Sequence, residues 1–378
     1  FYHDRIVRKG LFMEIRLSDH FTYKRLFGFV AGPIAMMVFT SIYGVVDGFF
    51  ISSFVGKTPF AAVNLIMPFI MVLSGLGFMI GTGGTAIVSK TFDEGNSEKA
   101  NDIFSFLTYF TAVFGTVIGL LGYFTVEKVS ILLKATPEML PYCVEYGRIL
   151  MLGVPLFMLQ NHFQSFFTTA ERPTLGFVFT VIAGVTNMLL DGLLVGILGL
   201  GVKGAAAATV ASQFAGAVLP VFFFARKNTS ILRIQKGHFD WKTLLRTFTN
   251  GSSEFVSNIS FSVVGMVFNY QLLDYLGEDG VSAYGVIMYV SFIFVAVFIG
   301  YNIGTAPIVG FNHGAKNYEE LKNIFRKSIN TMVFMGIAMT VLCIVLGRPI
   351  ASLYVGKYDE LLSLTLRAFF IYAFCFIF

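Results

Sequence analysis

The chain has 378 residues, of which 56% are hydrophobic and only 13% are charged, and its formal net charge is +5. A soluble domain usually carries about 25% charged residues, so this composition excludes an ordinary soluble fold. The positive charge lies in short segments between apolar runs and does not indicate nucleic-acid binding. Cys143, Cys343 and Cys375 are too far apart for metal-ligand or disulfide-framework spacing.

Long apolar runs predict the secondary structure. Runs of about 20 residues or more are long enough for helices that cross a hydrocarbon core about 30 Å thick. In chain order, the predicted spans lie near 26–54, 60–88, 103–125, 144–170, 174–197, 204–224, 251–275, 281–310, 324–346 and 361–378. The predicted fold class is therefore an all-α integral membrane protein with about ten spans.

The chain also repeats itself with an offset of 221 residues. About 17 positions between 41 and 132 are identical to their partners in the second half. For example, Gly56 recurs as Gly277 and Asn96 recurs as Asn317. Hydropathy and loop positions repeat in the same register. Parallel halves of this kind are typical of membrane transporters, so we predict two pseudo-symmetric helical bundles.

The distribution of Lys and Arg predicts the orientation in the membrane. With the N-terminus in the cytoplasm, 19 of the 27 basic residues fall on the inner side, as the positive-inside rule requires. The basic connection 225–249 is then a cytoplasmic linker between an N-terminal lobe, 1–224, and a C-terminal lobe, 250–378. A complete second repeat would extend to about residue 445, so we expect the C-terminal lobe to be incomplete by about two spans.

Two acidic residues predict a cation site. A charge at the centre of a bilayer costs several kcal/mol, so an acid there is a functional candidate. Asp47 lies about 33 Å along the first span from its inner end, and Asp191 about 27 Å along the fifth. Asn187 shares the helix face of Asp191, and Thr209 reaches a similar depth from the sixth span. Desolvation and like charge disfavour double ionisation, which suits a site for H⁺ or Na⁺. Alternatively, Asp47 lines a water-filled cavity and Asp191 pairs with a neighbour.

Four further residues are candidates with open alternatives. Pro33 predicts a kink in the first span, which either couples protonation to bending or is static. Glu254 is either a charged group in the cavity wall of the second half or a helix-start acid stabilised by the helix dipole. Gln160 and His162 form a polar cluster in the fourth span. Both side chains are candidates to line a cavity. The alternative for the histidine is a hydrogen bond to a carbonyl group.

Six segments carry a family resemblance: Val45–Ile51, Gly81–Ser89, Glu94–Ala100, Thr186–Asp191, Gly204–Thr209 and Ser253–Phe255. They resemble segments of the multidrug and toxin extrusion (MATE) family, most closely of its prokaryotic DinF-like and MepA-like branch. The resemblance covers essentially the whole chain and implies two six-helix bundles around a cavity with alternating access. On that pattern Asp47, Asn187, Asp191 and Thr209 match the cation site of the first lobe, and Pro33 matches the bending proline. The chain departs from the pattern because it lacks the last two helices and has no acid in its tenth span.

The expected function is secondary active export of amphipathic or cationic small molecules, coupled to H⁺ or Na⁺. We expect no cofactor, no nucleic-acid partner, no certain metal site, and a monomer among the lipids of a prokaryotic plasma or inner membrane. The alternative is a flippase for a lipid-linked precursor or a polysaccharide, which needs a strongly cationic cavity, whereas the deep charges here are mostly acidic. An enzyme is disfavoured because the sequence lacks an aspartate-rich metal motif, paired histidines, a nucleophile elbow and a Walker A motif.

Overall fold

A computed structural model describes residues 8–9, 14–15, 20–170, 172–227, 230–314 and 316–377, and nearly all of them are helical. The elements are β1 (Arg8–Lys9), β2 (Glu14–Ile15), α1 (Tyr23–Phe50), α2 (Lys57–Asp93), α3 (Ser97–Leu132), α4 (Leu140–Thr169), α5 (Pro173–Asp191), α6 (Gly201–Ala225), α7 (Trp241–Gly314), α8 (Tyr318–Val355) and α9 (Asp359–Ala373). A π-helical turn follows α1 (Ile51–Val55), another follows α5 (Gly192–Ile197), and a 3₁₀ turn follows α9 (Phe374–Ile377). The two short strands pair antiparallel.

The predicted all-α membrane fold is confirmed. Among the described residues, eight helices are long and apolar enough to cross a membrane, and one of them covers Trp241–Asn302. That helix belongs to α7, which is interrupted at Gly277, where φ is 60° and ψ is −152°. The interruption separates the predicted spans 251–275 and 281–310. The predicted tenth span corresponds to α9 and the 3₁₀ turn.

The sequence repeat is visible as repeated local structure. Gly56 and Gly277 both have positive φ, 126° and 60°, and each separates two long helices. Asn96 and Asn317 are both N-cap residues: their side chains accept hydrogen bonds from the backbone N–H groups of Lys99 at 3.1 Å and Glu320 at 3.3 Å. Turn conformation and helix capping are therefore repeated along with the hydropathy.

The seventh predicted span begins earlier than its apolar run. Its helix starts at Trp241, and Asp240 caps it by accepting hydrogen bonds from the N–H of Lys242 at 3.0 Å and the hydroxyl of Thr243 at 2.6 Å. The Thr243 hydroxyl and the backbone N–H groups of Lys242 and Thr243 hold the pKa of Asp240 below its ordinary value. Glu254 therefore lies in the interior of α7, and its interpretation as a helix-start acid is wrong.

The chain divides into two compact units, 1–45 with 286–378 and 46–285. In the first unit, apolar side chains of α1, α7 and α8 form a buried cluster: Phe21, Leu26, Phe29, Val30, Tyr301, Ile308 and Ile324. Gly300 brings the α7 backbone against α1, because a Cβ there would lie 2.5 Å from the Cα of Ile34. The predicted lobes 1–224 and 250–378 and the linker 225–249 stay a prediction.

The second unit contains a long seam between α2 and the first half of α7. A Cβ at Gly83 would overlap the carbonyl oxygen of Thr247, and a Cβ at Gly251 would overlap that of Met79. Further along the seam, the Asn269 side chain donates a hydrogen bond to the backbone oxygen of Asn64 at 3.0 Å. Close backbone approach at small residues is how membrane helices associate when lipid removes the hydrophobic driving force.

We expect Gly277→Ala to lower the free energy of unfolding by about 1–3 kcal/mol, because the φ and ψ of Gly277 are accessible essentially to glycine alone. A Cβ at this position would meet no described atom within 4 Å, so the cost is conformational. The measurement is denaturant unfolding of the purified protein in detergent micelles. Gly265→Ala in the same helix is the control, since its Cβ would make an ordinary 3.6 Å contact with Pro68. Equal stability of the two variants would show that the backbone conformation at Gly277 carries no such cost.

Candidate functional site

The two predicted acids both stand at the junction of an α-helix and a π-helical turn. Asp47 lies in the last turn of α1, just before the π turn 51–55. Asp191 is the last residue of α5, and the π turn 192–197 follows it directly. π-Helical turns are rare and occur frequently at functional sites, because the extra residue in the turn redirects the side chains around it.

Close packing of the two π-helical segments brings the acids together. The Phe50 ring lies against two glycines of the second π turn: a Cβ at Gly192 or Gly196 would be 3.8 Å or 3.5 Å from it. A Cβ at Gly201, at the start of α6, would be 3.6 Å from Val55. Because these positions carry no side chain, the end of α1 packs directly onto the α5–α6 connection.

The structure brings the four predicted cation-site residues into one polar group in the second unit. The Thr209 hydroxyl donates a hydrogen bond to the Asp47 carboxylate. The charges of Asp47 and Asp191 act on each other. Asn187 lies one helical turn before Asp191, on the same face of α5. The exposed fractions of Asp47, Asn187 and Asp191 are 5%, 1% and 0%.

Most oxygens of this group have no hydrogen-bond donor. Among the described residues, Asp47 Oδ1, Asn187 Oδ1 and both carboxylate oxygens of Asp191 are buried without a hydrogen-bond partner. Each such oxygen costs roughly 1–3 kcal/mol, and more when it is charged. Carboxylate and amide oxygens without donors are suited to a proton or a hard monovalent cation. The described part of the chain has no cluster of three or more His, Cys, Asp or Glu side chains that could hold a metal ion.

The other predicted residues occupy different surroundings. Pro33 is half-buried in α1, which stays helical through it, and its carbonyl oxygen lies 2.8 Å from the position of a Cβ at Gly300. Glu254 is exposed, and its backbone oxygen accepts a hydrogen bond from the Asn258 side chain at 2.9 Å. Neither of these side chains is part of the polar group around Asp47.

His162 lies inside the second unit. It is completely buried, and its ring nitrogens face the hydroxyls of Thr108 at 3.1 Å and Thr111 at 3.5 Å. The ring of Phe166 lies 4.7 Å from the imidazole. The expected hydrogen bond to a carbonyl group is thus replaced by contacts with hydroxyls of α3. Gln160 is also buried, because its amide packs against Gly216 of α6.

Two features of the site were missed by reasoning from the sequence. The π turns after Asp47 and Asp191 have no signal in hydropathy, although Gly192 and Gly196, spaced by four, mark a helix face open to close packing. The second feature is Gln213, which is buried in α6 one turn beyond Thr209. Its spacing of four residues from Thr209 is the signal that would have identified it.

Comparison with known proteins identifies the family. The MatE family model matches residues 33–193 and 255–378, which together are most of the chain. The chain belongs to the MATE family of transporters. The multidrug export proteins MepA of Staphylococcus saprophyticus and Staphylococcus haemolyticus are both 25% identical to it, over 314 and 315 residues. In each case the alignment covers 83% of this chain and 69% of the relative.

A solved MATE structure has the same fold. The inward-facing conformation of a multidrug resistance MATE family transporter of the MOP superfamily superimposes with a TM-score of 0.82, at 18% identity, over 92% of this chain and 81% of that chain. At this identity the likeness shows the fold alone. The family model and the MepA relatives confirm the MATE family and its MepA-like branch, and the chain is a multi-pass membrane protein.

We expect Thr209→Val in this MATE protein to lower the free energy of unfolding by about 1 kcal/mol, because it removes the hydroxyl that donates to Asp47. Thr209→Ser keeps the hydroxyl and serves as the control. Denaturant unfolding in micelles measures both variants. Equal stabilities for the Val and Ser variants would show that the hydroxyl does not support Asp47.

Proposed function

We propose that this chain is a secondary active multidrug exporter that exchanges H⁺ or Na⁺ for amphipathic or cationic small molecules. The observation that carries the proposal is the buried pair Asp47 and Asp191: among the described residues, Asp47 Oδ1 and both carboxylate oxygens of Asp191 have no hydrogen-bond donor. The names of the MepA relatives, which are multidrug export proteins, support the drug-like substrate class. The site serves transport and not catalysis, so we infer that the protein is not an enzyme and needs no cofactor.

The coupling step follows from the electrostatics of the acid pair. Two carboxylates in a medium of low dielectric constant repel each other, and both lose hydration. A proton or Na⁺ from the side of higher electrochemical potential relieves the repulsion and occupies the free oxygens. Binding and release of the cation therefore change the free energy of the packed ends of α1 and α5. In alternating access, this difference biases which side of the membrane the transporter opens to.

Other predicted residues take roles consistent with their positions. Pro33 lies 14 residues before Asp47 in α1. Proline removes one backbone hydrogen bond, so Pro33 is a point at which α1 can bend when the acid site changes its charge. Glu254 is exposed on α7 and supplies a negative charge for recognition of cationic substrates. Gln160 and His162 are proposed as polar groups of the fourth span that shape the interior of the first lobe.

The distribution of basic residues supports a cytoplasmic N-terminus in a prokaryotic plasma membrane. We propose a monomer surrounded by lipid, with small-molecule substrates and no nucleic-acid partner. The acidic character of the buried charges favours cationic substrates over the pyrophosphate group of a lipid-linked precursor. For this reason drug export is preferred to the flippase alternative.

We expect Asp47→Asn to reduce ion-driven drug efflux at least about tenfold, because a neutral amide can neither release a proton nor balance the charge of Na⁺. The measurement is efflux of a fluorescent cationic drug from proteoliposomes under an imposed pH gradient, and then under an imposed Na⁺ gradient. Asp191→Asn is expected to reduce efflux in the same way.

Glu360→Gln is the matched control, because Glu360 is an exposed acid in the first turn of α9. Unchanged coupling in the Asp47→Asn variant would refute the assignment of the ion site. If wild-type protein responds to neither gradient, the antiporter proposal fails. Movement of a lipid-linked precursor without drug efflux would instead support the flippase.

A further inference from the structure

Gln213 of α6 is a buried amide with an unused acceptor. Its exposed fraction is 7%, and in the described part of the chain its Oε1 has no hydrogen-bond partner. It lies four residues after Thr209, so the two side chains project from the same side of α6. Thr209 is the residue that donates to Asp47. Gln213 is thus one helical turn along α6 from a residue of the predicted cation site, in the same compact unit.

The neighbouring helix leaves space for this amide. A Cβ at Gly153 of α4 would lie 2.7 Å from Gln213 Oε1 and 2.7 Å from the Cγ2 of Val210. Any other residue at position 153 would force the amide to move. The α4 backbone and α6 therefore enclose Gln213 without supplying a hydrogen bond to its oxygen.

We propose that Gln213 is a further binding residue of the coupling site, whose amide oxygen binds the transported cation or the water that accompanies it. This inference rests on the proposed function. A neutral carbonyl oxygen suits the task because it stabilises a cation without adding a third negative charge to Asp47 and Asp191. The buried oxygen then has a partner when the ion is bound.

The test measures drug efflux against ion concentration. Gln213→Leu keeps the approximate volume and removes the oxygen, and we expect it to raise the ion concentration for half-maximal efflux about tenfold, with a smaller effect on the maximal rate. Gly153→Ala displaces the amide and is expected to shift the same parameter in the same direction.

Phe214→Leu is the control, because Phe214 is the exposed neighbour on α6. If Gln213→Leu has the ion dependence of wild type while Asp47→Asn loses coupling, the role of Gln213 is overturned and the proposed function stands. If Asp47→Asn also keeps its coupling, the proposed function fails together with this inference. A fall in maximal rate alone would indicate a structural role for Gln213 and would also overturn the proposal.

A second inference comes from an independent set of contacts, at the end of the second unit that carries Gly56 and Gly277. Lys57 Nζ lies 2.5 Å from Asp279 Oδ1. The two oxygens of Glu278 accept hydrogen bonds from the hydroxyls of Thr58 and Thr136, both at 2.7 Å. Lys134 Nζ lies 2.6 Å from an oxygen of Asp274. We name these seven residues the repeat latch: Lys57, Thr58, Lys134, Thr136, Asp274, Glu278 and Asp279.

The repeat latch joins equivalent positions of the two sequence repeats. Lys57 and Glu278 are 221 residues apart, as are Thr58 and Asp279. The contacts are crossed: Lys57 pairs with Asp279, and Thr58 pairs with Glu278. Each pair of residues directly follows a glycine with positive φ, Gly56 or Gly277. The latch therefore connects the two places at which the long helices change direction.

Lys134 of the latch has an unusual backbone conformation. It has a φ of 62°, which is unfavourable for a residue with a side chain. Its ammonium group is held by Asp274 and lies 4.0 Å from the centroid of the Tyr270 ring. The hydrogen bonds to Asp274 and Tyr270 raise the pKa of Lys134 above its ordinary value.

We infer that the repeat latch closes the Gly56 and Gly277 end of the transporter and opens once in each transport cycle. This inference rests on alternating access in the proposed function. Lys57, Asp279, Lys134 and Asp274 are each roughly one-third to two-fifths exposed, so water and salt weaken their attraction. Such contacts are strong enough to bias a two-state equilibrium and weak enough to be released.

The test uses Thr58→Cys with Glu278→Cys in a background where Cys143, Cys343 and Cys375 are replaced by alanine. We expect a short thiol-specific cross-linker with a reducible bond to stop efflux, and a reductant to restore it. The matched control is Asp102→Cys with His238→Cys, a pair at the same 2.7 Å distance that lies away from the latch. Cross-linking this control pair is expected to leave efflux unchanged.

Spin labels at positions 58 and 278 provide a readout that does not depend on transport. We expect two populations of label-to-label distance, with the longer one increased by high salt and by Asp279→Asn. A single short distance under all conditions, or full efflux from the cross-linked protein, would overturn the latch. Efflux by the uncross-linked cysteine variant verifies the proposed function separately from the latch.

Discussion

The burial of two carboxylates in one helical bundle is the constraint on which the rest of this structure depends. Asp47 and Asp191 lose their hydration and repel each other, and Thr209 supplies only part of the hydrogen bonding that they need. A protein selected for stability alone would place apolar side chains there. The presence of both acids leaves buried oxygens without donors among the described residues, which is what the proposed coupling site requires.

Glycine packing is what allows this constraint to act over a distance. Gly192 and Gly196 place the second π turn against Phe50, and Gly83 and Gly251 bring α2 and α7 into backbone contact. Contacts between backbones interlock few side chains. Close approach at glycines lets the helix backbones pack directly against each other. In the proposed exchange, a change of charge at the acids is transmitted along α1 and α5 as rigid elements.

Much of the fold was predictable because the relevant signals are local or periodic. Hydropathy located the spans, and the repeat identified Gly56 with Gly277 and Asn96 with Asn317, which share turn and cap geometry. The number of residues from the inner end of each span predicted a similar membrane depth for Asp47 and Asp191. The start of α7 was missed because its first turns are polar, and a polar helix cannot be distinguished from a linker by hydropathy. The π turns and the Gln213 environment depend on tertiary packing, which no local pattern encodes.

The two repeats use the same frame for different chemistry. The repeat partner of Asp47 is Phe268, which is half exposed and stacks on Tyr284 with ring centroids 5.4 Å apart. The partner of Pro33 is Glu254. The first repeat thus carries a proline and a buried acid where the second repeat carries an exposed acid and an aromatic side chain. An ion that binds only in the first repeat stabilises one half of a pseudo-symmetric frame and leaves the other unchanged. We propose that this difference between the repeats converts the binding of one cation into a directed conformational change.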